Sequence, residues 1–582
     1  MLGVAVALAS SGVAGRVDET RQQRVDSLAA RSAAADDDWE TEVLSSAASE
    51  SLHAVLDALA ADPTFDATPW ISRAATCRAL VPQGGESHTL GDLRLRRVTD
   101  VSASPGEEPG ARPIADALIA WLAPMRESGP PRVAFKIVGV DANSRSQFST
   151  TLLVTASGRR AGREVQQNAT WRVTWSWPVS PESPGGTTPA RLEGVECLRF
   201  EDVSASGPLF EECTDGVLPA DPELRRQLAN GGEHWFGRID ALGDWNYFGH
   251  NGLAVGDANG DGLDDLYVAM GTGLPNKLLI RQPDGTVVDR ALAAGVAWLD
   301  DTKGVLFLDY DNDGDQDLFC ALGPTILVSE NDGEGTFTPA RSLRAVTDAA
   351  FYSLAAADFD LDGDLDLYAT RYVKTRYGAS LPVPFHDAHN GPRNHLMRND
   401  YPDGFTDVTE KVGLGVGNDR FSLAASWQDY DLDGDPDLYV ANDFGRNNLF
   451  RNDGGTFVEI AALAGAEDMS AGMGVSWGDV DLDGDPDLLV SNMFSAAGQR
   501  VAYQPRFERE REDSAALIQR HTLGNTLLLN DGAGGFQDVS ASAGVRMGRW
   551  AWGSVLADLT GDGYPDMTVP NGFLTNARDD DL

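Results

Sequence analysis

Apolar and polar residues follow two different periods in the first third of this chain. Between 41 and 61, Val43, Leu44, Ala47, Leu52, Val55, Leu56 and Leu59 recur at helical intervals, the spacing of one buried face. Ile114, Leu118, Trp121 and Leu122 repeat that spacing and predict a second helix over 114–127. Runs with strand character follow at Val133–Val140, Phe148–Ala156, Glu164–Trp177 and Arg191–Val203. Within them Trp171, Val173, Trp175 and Trp177 share one face. A core face is the first reading, and an aromatic ligand pocket is the second. Helices followed by long antiparallel strands predict a small α+β domain over 70–205.

Beyond residue 250 the pattern changes. Short apolar runs such as Leu266-Tyr267-Val268, Leu438-Tyr439-Val440 and Leu488-Leu489-Val490 each follow a nonapeptide built on aspartate. In the first nonapeptide Asp257, Asn259, Asp261 and Asp265 offer side-chain oxygens at positions 1, 3, 5 and 9, and Leu263 offers its carbonyl at position 7. The second has Asp309, Asp311, Asp313 and Asp317, with Asp315 at position 7. The third has Asp358, Asp360, Asp362 and Asp366, with Asp364. The fourth has Asp429, Asp431, Asp433 and Asp437, with Asp435. The fifth has Asp479, Asp481, Asp483 and Asp487, with Asp485. The sixth has Asp558, Thr560, Asp562 and Asp566, with Tyr564.

A glycine occupies position 6 every time, where the loop must turn sharply. Alternating oxygens around such a turn wrap a hard cation of calcium size, so up to six Ca²⁺ ions are expected; Mg²⁺ demands a tighter octahedron. The flanks are strands, so the loop is a hairpin connection and not an EF-hand. An acid at position 7 needs to give only its carbonyl, which leaves its side chain for solvent. The first and last loops carry three carboxylates against four in the others, and fewer charges lower affinity.

The loops start at 257, 309, 358, 429, 479 and 558, a basic period of about 50 residues with two insertions, as in a propeller or an array of small sheets. A second element repeats with them. Asn448-Leu449 leads to Asn452-Asp453-Gly454 and Phe457, and Asn525-Thr526-Leu527 leads to Asn530-Asp531-Gly532 and Phe536. The Asn-Asp-Gly step reads as a hairpin turn. Four short strands per repeat make a propeller blade. These residues resemble the FG-GAP or VCBS repeat family of integrin α-subunit propellers and many secreted bacterial proteins. The Asn-x-Leu and Phe-x-Asp-Val elements look closest to the cartilage acidic protein and ASPIC/UnbV group. The resemblance covers roughly residues 230 to 582. It implies seven blades with calcium on several, where six motifs are present and the C-terminal ASPIC/UnbV domain is not. Either segments near 195–250 complete the ring or the chain is a fragment.

The expected fold is therefore mainly β: a propeller over 206–582 behind the α+β domain at 70–205, for which a cone-shaped NTF2-like fold is one candidate. Residues 16–69 are linker and helix. Residues 1–15, Met1 to Gly15, are apolar and read as the remnant of a signal peptide or anchor.

A net charge of −43 opposes binding to nucleic acid or anionic membrane. Cys197 and Cys213 are near enough to bridge in an exported protein, with free thiols as the equal alternative. The segment Phe385-His386-Asp387-Ala388-His389 could hold a metal or an acid/base pair; an ordinary solvated loop is the simpler reading. Arg506 to Arg520 alternates Arg and Glu and reads as a solvated helix or excursion. Asn168-Ala169-Thr170 matches a glycosylation sequon, with chance as the simpler source. The expected function is an exported, calcium-bound module that engages a protein or glycan partner through one propeller face and catalyses nothing. A polysaccharide hydrolase or lyase is the alternative. A third reading makes the first domain the ligand binder.

Overall fold

Burial alternates residue by residue along Gln147–Arg160 (β6) and Arg163–Ser176 (β7), and these two strands anchor the first part of the chain. The computed structural model describes residues 40–99, 101, 112–144, 146–177, 189–218, 221–230, 234, 235, 238, 252–344, 349–374, 382–504, 507 and 512–570. The apolar segment 1–15 and the polar stretch after it, to residue 39, lie outside them. So do 178–188, most of 231–251, and 571–582. No helix among the described residues is long and apolar enough to cross a membrane. They divide into two units. The first runs to Glu211 and takes in Ala496–Glu510; the second holds Glu212–Ser495 and Arg511–Ala577.

In the first unit, helix α1 (Glu40–Ala61) buries Leu44, Leu52, Val55, Leu56 and Leu59. Helix α2 covers Ile114–Leu122. It ends five residues short of the expected 127, in a 3₁₀ turn over Ala123–Met125, because Pro124 has no N–H to continue the ladder. The strands are Ile71–Cys77 (β1), Glu86–Leu90 (β2), Leu93–Val98 (β3), Arg112–Pro113 (β4), Arg132–Ser144 (β5), β6, β7 and Arg191–Ala205 (β8). They form one eight-stranded sheet in the order β2-β3-β8-β7-β6-β5, with β1 beside β8 and β4. Strands β1 to β4 lie between the two helices, so the expected order of helices and then strands is corrected. Of these, edge strand β2 escaped the pattern because it is exposed throughout and has no apolar alternation.

Trp171, Val173 and Trp175 are buried and fill this core. Trp121 meets Trp171 edge-on at 4.8 Å and donates from Nε1 to Gln167 Oε1 at 2.8 Å. Trp175 Nε1 donates to Thr150 Oγ1 at 2.9 Å. Each polar tip that bonds lets its ring sink fully into the core. The unit also contains helix α3 (Ala496–Ala502), a piece of the second insertion. Its Arg500 Nη2 donates to Glu42 Oε2 at 2.8 Å, and Nη1 donates to the Ile137 carbonyl at 2.8 Å.

The second unit is a series of antiparallel sheets, five of four strands and a sixth of two, Val555–Ala557 with Asp566–Thr568. The chain is mainly β. The first strands are Leu253–Gly256, Thr302–Leu308, Ala349–Ala357, Phe421–Gln428, Gly472–Gly478 and Val555–Ala557, and each packs on the next. The aspartate nonapeptide joins first to second strand in all six sheets. In an antiparallel sheet the next connection lies at the opposite end. Both insertions, 375–394 and 493–525, leave from there. Asn-Asp-Gly closes the outer hairpin, pairing Asn452 with Phe457 and Asn530 with Phe536. Residues 191–205 are β8 of the first unit, so they do not complete the repeat series as one expectation had it.

Candidate metal centres

Each nonapeptide is wound on its own aspartates. In the fourth loop Asp429 accepts from the amides of Asp433 and Gly434, both at 3.0 Å. Asp433 accepts from the Asp435 amide at 3.0 Å. Asp437 accepts from the Tyr430 amide at 3.1 Å and from the Asn452 amide of the outer hairpin at 2.7 Å. The position-1 set recurs in the other five loops. Position 6 is a glycine with φ between 83° and 101° in every loop. Position 4 is also left-handed: Gly260 and Gly561 in the outermost loops, but Asn312, Leu361, Leu432 and Leu482 at φ 56° to 62° in the four between. A leucine held there costs roughly 1–2 kcal/mol, strain that collects where function fixes a backbone.

Those four loops bring carboxylates together. Asp309, Asp311 and Asp317 have ligand oxygens within 4.8 Å of one another, as do Asp358, Asp360 and Asp366; Asp429, Asp431 and Asp437; and Asp479, Asp481 and Asp483. Each group could hold a metal ion. In three of them the position-3 oxygen, Oδ1 of Asp311, Asp360 and Asp431, is buried with no hydrogen-bond partner. A buried carboxylate oxygen left bare is costly unless a cation meets it. Burial, then neighbouring carboxylates, raises the pKa of these aspartates. Burial pushes Asp317, Asp366 and Asp437 up to about 7, against the pull of their backbone amides. Such a donor set of oxygens suits calcium. In the first loop Asn259 Oδ1 instead accepts from the Asp261 amide at 3.2 Å, and in the last the Thr560 amide turns to Asp566 at 3.0 Å.

The position-7 acids were expected to face solvent, and the structure corrects this. Asp435 Oδ2 accepts from the Gly454 amide at 2.8 Å in the outer hairpin of its own sheet. Asp364 Oδ1 accepts from Asn312 Nδ2 of the preceding loop at 2.7 Å. Burial, then Asp313 and Asp311, pushes Asp315 up to about 6. The approach is close: a Cβ on Gly532 would lie 2.4 Å from Asp485 Oδ2.

The asparagine of the hairpin turn does more than turn. Asn331, Asn399, Asn452 and Asn530 each donate Nδ2 to the position-2 carbonyl of the preceding loop, on Ala258, Tyr310, Phe359 and Tyr430, at 2.6 to 3.0 Å. Their own amides serve the position-9 aspartate of the same sheet. Each of the first four loops is thus stapled to the next sheet. The first sheet has Arg281 in this place, whose amide still serves Asp265.

Other candidates sort differently. His389, exposed, lies 3.7 Å from Asp387 and 3.5 Å from Asp419, and Asp387 is held by Arg420 and Arg446 at 2.6 and 3.2 Å. Phe385 meets Phe444 edge-on at 5.0 Å and lies tilted against His521 at 5.6 Å. Helix α4 (Glu512–His521) ends in a buried His521 and an ion-paired Arg520, so the expected solvated helix is corrected over this half. Residues 505, 506 and 508–511 lie outside the described ones. All four cysteines are free, so the Cys197–Cys213 bridge is absent. Burial pushes the Cys197 thiol up to about 12. Asn168 is committed to Glu201 at 3.1 Å within β7.

Residues 257–320, 309–369 and 429–490 match the FG-GAP-like repeat family, and these spans contain five of the six nonapeptides. The chain carries FG-GAP-like repeats. The sixth nonapeptide lies outside the matched FG-GAP-like spans. No curated protein matches the chain. Similar solved structures include an Agrocybe aegerita lectin, 17% identical, covering 56% of this chain and 75% of its own, at TM-score 0.34. A periplasmic gluconolactonase of Pseudomonas aeruginosa is 10% identical, with 70% and 94% covered and TM-score 0.30. The V. cholerae biofilm matrix protein Bap1 is 14% identical, with 50% and 39% covered and TM-score 0.28. At these scores the likenesses carry no argument about what the FG-GAP-like unit binds.

Proposed function

We propose that the repeat unit is a calcium-stabilised β-propeller module, exported from the cell, that binds a protein or glycan partner and catalyses nothing. The observation that carries the calcium reading is the bare, buried Oδ1 at position 3 of three consecutive loops. In each of loops two to four, the position-1, position-3 and position-9 carboxylates would hold the ion; in loop five those at positions 1, 3 and 5 would. Calcium would neutralise charge that otherwise strains the hairpins, and so pre-organise the opposite ends of the sheets. Both insertions emerge at those ends, which makes them the partner-binding elements. The propeller reading draws support from first strands packed in series and from staples between successive sheets. Sites of this kind suit millimolar extracellular calcium. The test is thermal unfolding in calcium and in EDTA, with elemental analysis. A large calcium-dependent rise with about four to six ions per chain, roughly one per loop, supports the reading. No shift and no bound metal would sink it.

A second reading, a polysaccharide-active hydrolase or lyase, rests on Asp443. Burial pushes this carboxyl up to about 7, and Tyr372 donates its hydroxyl to it at 2.6 Å. An acid poised near neutrality suits proton transfer. Turnover of any glycan that is abolished in Asp443→Asn, with the fold intact, would establish this reading over the first.

A further inference from the structure

Acidic residues outnumber basic ones by 89 to 46 in this chain, so an arginine that makes no ion pair is unexpected. Arg546 is one, although its charge helps to lower the pKa of Asp538. Its Nε is buried without a hydrogen-bond partner, and among the described residues its guanidinium makes no ion pair. It lines a half-open cavity of about 400 Å³ in the repeat unit, together with Glu467, Asp468, Arg520, Thr526 and Asp538. Leucine side chains complete the wall. The size is that of a small-ligand pocket.

The other charged groups in the wall are already bonded, with one guanidinium shared between two acids. Arg520 Nη2 lies 3.2 Å from Asp468 Oδ1 and 3.1 Å from Asp538 Oδ2. Asp468 is fully buried and also accepts from Asn492 Nδ2 at 2.8 Å. Asp538 accepts from the Ser540 amide at 2.9 Å and from its hydroxyl. Glu467 is paired with Arg446. The Thr526 hydroxyl accepts from Arg520 Nη2 and Asn492 Nδ2, both at 3.1 Å, which leaves its own proton to donate. The cavity therefore offers one guanidinium whose Nε has no hydrogen-bond partner, set among hydrogen-bonded carboxylates. A guanidinium fork prefers a carboxylate, which it grips with two parallel hydrogen bonds. The surrounding acids have spare lone pairs, and their charge is balanced once Arg546 is counted with Arg520 and Arg446, so they suit neutral hydroxyl donors better than an ammonium group. A ligand with one carboxylate and several hydroxyls satisfies both conditions.

We infer that this cavity binds an acidic sugar residue of the uronate class, with its carboxylate on Arg546 and its hydroxyls toward Thr526, Asp538 and Glu467. The inference rests on the glycan-binding reading above and names the sugar chemistry. It also gives a role to the second insertion, since Arg520, at the end of α4, forms part of the wall.

The experiment titrates sodium glucuronate, glucose and glycine into the full chain in calcium, followed by saturation-transfer NMR. Glucuronate is expected to bind and glucose to bind far more weakly. Arg546→Gln should weaken glucuronate by roughly ten- to a hundredfold, the loss of a charge-assisted pair. Its melting temperature should change little, because Arg546 makes no ion pair and its Nε no hydrogen bond; a melting curve close to wild type for the variant shows that the lost binding is not lost folding. Glucose binding equal to glucuronate, tighter binding of glycine, no binding of glucuronate, or full affinity in Arg546→Gln each overturns the inference. A glycan array probed with both proteins separates it from the broader reading. Glycans held equally by wild type and Arg546→Gln would leave glycan binding standing and remove this cavity from it.

Discussion

The two units solve the problem of stability in opposite ways. The first gathers its apolar residues into one continuous core, from Leu44 on α1 to Phe200 on β8, with paired tryptophans at the centre. The second divides its apolar residues among several small cores. Its sheets are joined by asparagine staples and end in loops crowded with like charges. A single core depends on contacts within the chain alone. A series of small cores bounded by aspartates depends on the solution around it, because the charge must be cancelled from outside.

Calcium removal should split the two most widely. In EDTA the repeat unit is expected to lose on the order of 10 kcal/mol, if each of four sites contributes about 2.7 kcal/mol at a hundredfold excess over its Kd. The first unit should hardly respond. Calorimetry would show one transition moving and one staying; two transitions moving together would break the comparison. Arg500→Leu should act in reverse. It leaves Glu42 without its partner, which costs about 3–5 kcal/mol for a buried pair broken on one side. The first transition should fall while the calcium count holds.

Asn452→Ala removes bonds to Phe359 and Pro436 and orphans both carbonyls. A loss of about 2–4 kcal/mol is expected in the repeat unit, in urea titration. Arg281→Ala should cost less than about 0.5 kcal/mol, since only the backbone amide of Arg281 serves the loop.

The pH response should change sign with calcium. Without metal, Asp317, Asp366 and Asp437 hold their protons to about 7, against a usual value of 3.8. Between those values the folded state binds more protons than the unfolded one, so stability falls as pH rises. The melting temperature in EDTA should be higher at acidic than at alkaline pH. With calcium, protons compete with the ion and the slope should reverse. A slope of one sign in both conditions would argue against metal at these loops. A small effect of opposite sign is expected from Leu432→Gly, which relieves a left-handed leucine and should raise the stability of the metal-free protein by about 1 kcal/mol.

The carboxylate clusters of the second to fifth loops were legible in the sequence because a local wrap leaves a local period. The role of position 7 was not. Asp435 and Asp364 are claimed by a hairpin amide and a neighbouring loop, partners far along the chain. The staple asparagines looked like turn residues because their turn chemistry is real, and only their recurrence next to each Asp-Gly turn marked a second duty. The left-handed position 4 is visible in Gly260 and Gly561 but hidden by leucine in the third, fourth and fifth loops. Helix α1 and the long strands of the first unit announced themselves by period, whereas β2, exposed on both faces, had no pattern to show. Arg546 gave no signal at all, since being unpaired is a property of its neighbours.

Arg500 and Glu42 meet across 458 residues of chain. On a ribosome, Glu42 emerges early, and nearly every repeat must be synthesised before its partner does. The first unit therefore waits, with a place held open for α3, while later sequence is made. Its last piece arrives from inside the other unit, so neither can be finished in simple order from the N-terminus.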